Sequence, residues 1–338
     1  HYPFAMLDPT EGEFKAGANG TGAFELAELE VGKKAVFKAR KDYWGGGPYL
    51  DTLEFIDLGD DASAVVAALA SKQVDGLYQA SNEIVPVVKT LPHVQIYQVV
   101  SAQTGVARGR VNVKPFDDKR VRQALRLAID PQKIVDVTLR EFGAPAEHHH
   151  VGPMHPDYAP IPSSKQDVAK AKQLLTDAGY PNGLDLEISC RKDPSWEPLT
   201  VQALVEQWKA AGVRVKINIM PATEYNKVWT EVPFGYIGWA HRPLGFMTLG
   251  LAYRTGVPWN ESAYSNAEFD KILTEAEGTL DIEKRKALIA KLEAIMLDDG
   301  PITQPMWNKL NVAYDKRVKG VHAHPSIYIF GHRLAIEA

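Results

Sequence analysis

Pro115-Phe116-Asp117-Asp118-Lys119-Arg120-Val121-Arg122-Gln123-Ala124-Leu125-Arg126-Leu127-Ala128-Ile129-Asp130 is the stretch on which the reading of this chain turns. It has the form of a helix start. Asp117 or Asp118 can act as N-cap for free backbone N–H groups, where acidic charge also suits the helix dipole. Val121, Ala124, Leu125 and Ala128 recur at helical spacing and mark a core face, which leaves Arg120, Arg122 and Arg126 mostly to the outside. A helix is therefore expected over 118–129.

Working outward, further helices are expected over 165–178, 199–211 and 281–298, with Gly179 and Gly212 as C-terminal stops after the first two. Strands are expected over 184–189, 213–219 and 236–239, and the helix-then-strand order suggests α/β units. Earlier in the chain, strands at 24–29 and 35–39 flank the turn Glu30-Val31-Gly32-Lys33. A strand at 53–58, a helix at 62–70 and a short strand at 74–77 follow, as in a lobe with helices packed on a sheet.

At 338 residues the chain exceeds the usual single-domain size, so two lobes are expected. Its 45% hydrophobic and 24% charged residues are those of a soluble globular protein. The net charge of −4 supplies neither a basic field for nucleic acid nor a polybasic membrane patch. No apolar run reaches the roughly 18 residues that a membrane span needs. Cys190 is the only cysteine, which excludes an intrachain disulfide framework and suggests a buried small hydrophobe. There is no G-x-S-x-G elbow, H-E-x-x-H helix or Walker loop, and Gly20-Thr21-Gly22 fails as a dinucleotide fingerprint because position 25 is Glu. No sequence rule selects two carboxylates as an acid and base, so binding is favoured over catalysis.

The opening stretch resembles the PFDD-x-RVRQAL-x-x-AID signature of the bacterial family 5 extracellular solute-binding proteins, the peptide- and nickel-type receptors of ABC importers. Four further segments carry the same resemblance in order. Asn19-Gly20-Thr21-Gly22-Ala23-Phe24 is similar to the family's N-GTGPF turn, with Ala23 where proline is usual. Asp42-Tyr43-Trp44-Gly45-Gly46-Gly47-Pro48-Tyr49-Leu50-Asp51 is similar to its YW-x-G-x-P-x-LD segment. Ala169-Lys170 to Leu174-Leu175 and Ala178-Gly179-Tyr180-Pro181-Asn182-Gly183 match an AK-x-LL-x-x-AGYPNG helix and turn. Asn266-Ala267-Glu268-Phe269-Asp270 through Asp281 and Arg285 to Pro301 resembles a pair of helices near the C-terminal end.

The resemblance implies an α/β, two-lobed periplasmic-binding-protein-like fold of type II, with mixed sheets flanked by helices. Residues 1–104 would form part of lobe I, 105–306 lobe II, and 307–338 the return to lobe I. Family members carry a signal sequence and a long stretch before the GTG turn, whereas this chain opens His1-Tyr2-Pro3-Phe4. It is therefore expected to be a fragment without the front of lobe I. The implied function is capture of a short peptide or peptide-like solute in an interlobe cleft. A monomer in the periplasm, or outside the membrane of a Gram-positive source, would deliver that solute to ABC permease subunits. No cofactor, no nucleic acid and no enzymatic activity are implied. Two alternatives stay open: a nickel or metal-chelate receptor of the same family, and a hydrolase on a binding-protein scaffold.

Gly238-Trp239-Ala240-His241-Arg242-Pro243-Leu244-Gly245 follows an apparent buried strand, where the resemblance places the ligand. Oligopeptide receptors carry there a carboxylate that pairs with the peptide ammonium. Aligned on Trp239, that position is Arg242, whose fork would suit a carboxylate, sulfonate or phosphate instead. Arg242 could equally turn outward to a surface acid. Tyr253, Arg254, Trp259 and Asn260, together with Trp307, are candidates for aromatic walls and polar contacts, or for packing. Arg108 and Arg110 could face the ligand from the first crossing, or be solvated. His148, His149, His150 and His155 form the one metal-like cluster. Adjacent histidines point apart, so the alternatives are a metal site, an exposed neutral rim, or contacts to an organic ligand.

Overall fold

The computed structural model describes residues 8, 10, 15–59, 61–162 and 165–337. The chain divides into two compact units, His1–Val99 with Leu310–Ala338, and Val100–Lys309. Two long strands, Val94–Gly109 and Met306–Asp315, contain the points where the chain passes from one unit to the other.

In the first unit, Phe24–Glu30, Lys34–Ala39 and Thr52–Ile56 form an antiparallel three-stranded sheet. Gly32, at φ 76°, sits in the first turn, where its missing Cβ removes the steric cost of a left-handed backbone. The helix Ala62–Ala70 is started by Asp61, whose carboxylate accepts the N–H groups of Ser63 and Ala64. The following strand begins at Gly76 rather than 74, because the backbone of Gln73 and Val74 still bonds Ala68 O at the helix end.

The second unit is built on strands in the order Val94–Gly109, Phe234–Trp239, Leu184–Arg191, Val213–Met220. The first pair is antiparallel and the other two are parallel. Both faces are covered. Phe234 and Tyr236 join a core with Val121, Leu125, Leu175, Leu204 and Trp208, while Ile237 and Trp239 join one with Tyr253, Phe269, Leu292 and Met296. This is the period-two alternation of a strand buried on both sides.

The opening stretch forms the helix Lys119–Leu127, capped by Asp118, which accepts the Arg120 N–H at 2.8 Å. Val121, Ala124, Leu125 and Ala128 are buried as expected. Arg122 and Arg126 are not outside: they are 6% and 4% exposed. Arg122 donates to Asp299 O and Asp299 Oδ1, and Arg126 to Gly300 O and Leu297 O. The helix Ile282–Asp299 ends there with carbonyls that have no partner within the helix, and two guanidinium groups from another helix satisfy them. Asp130 caps a further helix, Pro131–Thr138, and Gly245–Ala252 is helical as well; neither was expected. The expected helices and strands appear as Val168–Asp177, Trp196–Lys209, Leu184–Arg191 and Val213–Met220, with Gly179 and Gly212 at φ 95° and 84°. Cys190 is a buried free thiol.

Candidate functional site

The candidate residues cluster within the second unit, where the strand Phe234–Trp239 runs out. Glu197 fixes the strand end by accepting the Gly238 N–H at 3.0 Å. Trp239 then directs its indole into the core, donating to Glu261 Oε1 at 2.9 Å. Glu261 Oε2 accepts Arg108 Nε at 2.8 Å, and both side chains are buried. Arg108 is thus neither solvated nor facing a ligand: its remaining donors go to Val232 O and Trp229 O. Burial raises the pKa of the Glu261 carboxyl, against the lowering effect of Arg108 and the indole N–H. Arg110 is spent on Thr230 O.

Beyond Trp239, Ala240 is exposed, while His241 and Arg242 are 8% and 4% exposed. Arg242 is therefore buried rather than turned outward. Its Nη1 reaches His241 O at 3.0 Å and Ala240 O at 3.3 Å, tying the guanidinium to its own turn. His241 Nδ1 accepts the Ala102 N–H at 2.9 Å. The helix Gly245–Ala252 starts without a side-chain cap of its own, and Asp157 Oδ1 accepts the Gly245 N–H at 3.2 Å. That helix delivers Tyr253.

The opposite wall is the segment containing the histidine run. His148 and His150 take left-handed backbones, φ 64° and 63°, a costly conformation for non-glycine residues, and the three rings consequently diverge. The rings are buried, with exposures of 2%, 0% and 1%, so the exposed-rim alternative is corrected. Gln304 holds the turn from both sides: its N–H donates to His148 Nδ1 at 3.0 Å, and its Oε1 accepts the His150 N–H at 2.9 Å. Further on, His155 Nδ1 accepts the Gly152 N–H at 3.0 Å, and its Nε2 lies 3.1 Å from Arg242 O.

These elements bring rings together. His150 lies 5.7 Å from Trp239, 5.8 Å from Tyr253 and 6.3 Å from Trp307. His155 lies 6.2 Å from Trp307 and stacks on His241 at 6.4 Å. Trp259, half-exposed, meets Trp239 edge-on at 6.0 Å. Asn260 organises the loop, donating to Arg254 O and Tyr264 O, and Arg254 pairs with Glu277 at 2.6 Å, away from the rings. Of the residues selected from sequence, Trp239, His241, Arg242, Tyr253 and Trp307 thus come together with His150 and His155. Glu261 and Gln304, which hold them, carried no sequence signal, because their partners lie far along the chain.

The electrostatics favour neutral rings. Burial lowers the pKa of His148 and of His150 to about 3, and that of His155 to about 4. A backbone N–H can only donate, so His148, His155 and His241 must offer Nδ1 as acceptor and carry their proton on Nε2. Their lone pairs are therefore engaged rather than open to a metal. His149 sits apart, between Glu147 Oε2 at 3.4 Å and Glu293 Oε1 at 4.0 Å, on opposite ring nitrogens that no single ion could bridge. Among the described residues, no group of three or more potential ligands is arranged to hold a metal ion.

Residues 1–250 match the family model for bacterial extracellular solute-binding proteins, family 5, middle part. Heme-binding protein A of Haemophilus influenzae is 26% identical over 320 residues, covering 91% of this chain and 58% of the relative. The dipeptide-binding protein of Escherichia coli is 26% identical over 318 residues, covering 90% and 59%. The ABC transporter substrate-binding protein CtaP of Listeria monocytogenes superposes with a TM-score of 0.86 at 20% identity, covering 95% of this chain and 67% of that one. The chain therefore spans about three fifths of the length of the curated relatives it matches. Two thirds or more of its residues, the helix-and-strand units and the two-lobed α/β fold all agree: the chain belongs to the family 5 bacterial extracellular solute-binding proteins.

Proposed function

We propose that this protein is the solute-capturing component of an ABC importer and takes a short peptide or peptide-like small molecule at the face formed by Trp239, His241, Arg242, Tyr253, Trp307, His150 and His155. The carrying observation is the convergence of those indole, imidazole and guanidinium groups at one strand end. Aromatic faces bury the solute, and a few fixed polar groups orient it. Arg242 adds a preference for an anionic group. The mechanism is binding without bond-making, followed by delivery to permease subunits, by a monomer working in the periplasm or on the outer side of a Gram-positive membrane.

Native mass spectrometry of the protein purified without denaturation, followed by denaturation and identification of what is released, tests the reading. A peptide or small organic acid released in stoichiometric amount is the expected result. A nickel chelate released instead would replace it with the metal-chelate reading. Hydrolysis of an added peptide by the protein would replace it with the hydrolase reading.

A further inference from the structure

We propose that His150 and Trp307 form a donor-only anchor for a carboxylate or other oxyanion of the captured solute, beside the charge of Arg242. The inference rests on the solute-binding reading and names the group that the site selects.

His150 Nδ1 lies 2.6 Å from Tyr253 Oη. If the phenol donates, His150 carries its proton on Nε2, and that one N–H is left over. If the imidazole donates from Nδ1, both the phenolic proton and the Nε2 lone pair are left over, because the Tyr253 hydroxyl makes no other hydrogen bond among the described residues. The first arrangement leaves one buried group unpaired and the second two, so the phenol donates. His150 Nε2–H is then a buried donor without an acceptor, and so is Trp307 Nε1–H. Both residues are 1% exposed, with ring centroids 6.3 Å apart. Two orphaned donors together in a native interior call for an occupant.

The occupant must accept. Four histidines around this point are fixed with the lone pair on Nδ1: His148, His155 and His241 by backbone N–H groups, and His150 by the Tyr253 hydroxyl. Indole has no lone pair to offer, and guanidinium has none either. A metal ion would need Nε2 lone pairs, obtainable only by breaking those bonds. A group with two acceptor oxygens and negative charge satisfies both N–H donors, and the nearby Arg242, whose charge His150 already senses, favours it further. Gly152 leaves room for the indole: a Cβ there would lie 2.8 Å from Trp307 Cε2.

Calorimetry with N-acetyl-alanyl-alanine and with its C-terminal amide, on the wild type and on Trp307→Phe, tests the proposal. The carboxylate is expected to bind about tenfold or more tightly than the amide, and Trp307→Phe to cut that carboxylate-over-amide preference about tenfold, whatever it does to the affinity both share. Nitrogen-15 NMR of the wild type should show His150 protonated on Nε2 before and after addition. Equal affinities overturn the anchor but leave the solute-receptor reading standing. Carboxylate binding unaffected by Trp307→Phe means that water alone fills the pair and overturns it too, as does the absence of carboxylate binding at millimolar concentration. Binding of nickel chloride with loss of the Nε2–H signal overturns it in favour of metal.

Discussion

Replacing Glu293 by Gln should change how stability depends on pH. Burial is the main reason that the Glu293 pKa rises from the ordinary 4.5 to about 8, with Glu147 and Asp157 adding repulsion and a backbone hydrogen bond at Ala159 working against them. A carboxyl raised in the folded state keeps a proton that the unfolded chain has released. Its contribution is complete below 4.5 and drains away as pH rises toward 8, by at most about 5 kcal/mol in total. The buried histidines run the other way: with folded pKa values of about 3, 3 and 4 against the ordinary 6.5, His148, His150 and His155 contribute stability above 6.5 that is lost as pH falls. Below 6.5 the two trends oppose. Between 6.5 and 8 the histidines are neutral in both states, and the Glu293 trend should amount to about 2 kcal/mol. Urea unfolding followed by tryptophan fluorescence at several pH values in that window measures it. The wild type should lose about 1–2 kcal/mol relative to Glu293→Gln as pH rises. Parallel profiles for the two proteins would show that Glu293 ionises normally and would refute the argument.

Glu261→Ala should cost about 3–5 kcal/mol in chemical denaturation, because it leaves Arg108 charged and buried without its partner. Gly152→Ala should cost about 1–3 kcal/mol by pressing on Trp307, and should weaken solute binding measured by calorimetry. Arg126→Ala should cost about 3 kcal/mol in the same denaturation assay, because carbonyls at the end of the helix Ile282–Asp299 lose charged donors.

The fold was legible where local rules decide. Asp118 caps its helix, Gly179 and Gly212 stop theirs, and the hairpin around Gly32 forms, because each depends on backbone geometry within a few residues. Gly245–Ala252 was invisible: with two glycines, and with Thr248 the one polar side chain among apolar ones, it has no helical periodicity, and its start is stabilised by Asp157 from a distant segment. The outward assignment of Arg122 and Arg126 failed for a related reason. Helical spacing reports which residues avoid the apolar core; it does not report that a second helix ends beside them with unpaired carbonyls.

The histidine run shows most clearly what residue type alone leaves open. Three adjacent histidines suggest metal by composition, and only their partners decide otherwise. Gln304, some 150 positions away, supplies the N–H that locks His148 and the carbonyl that holds His150, and two left-handed residues turn the rings apart. Once Nδ1 of His148, His150, His155 and His241 accepts a bond from the protein, Nε2 must carry the proton, and those four imidazoles become a set of Nε2–H donors. The same imidazole cannot both accept a backbone N–H at Nδ1 and ligate a metal through its remaining nitrogen, which then carries the proton. The bonds that build this wall therefore also determine its chemistry: it can welcome an oxyanion without changing its protonation, whereas a cation would first have to dismantle the turn.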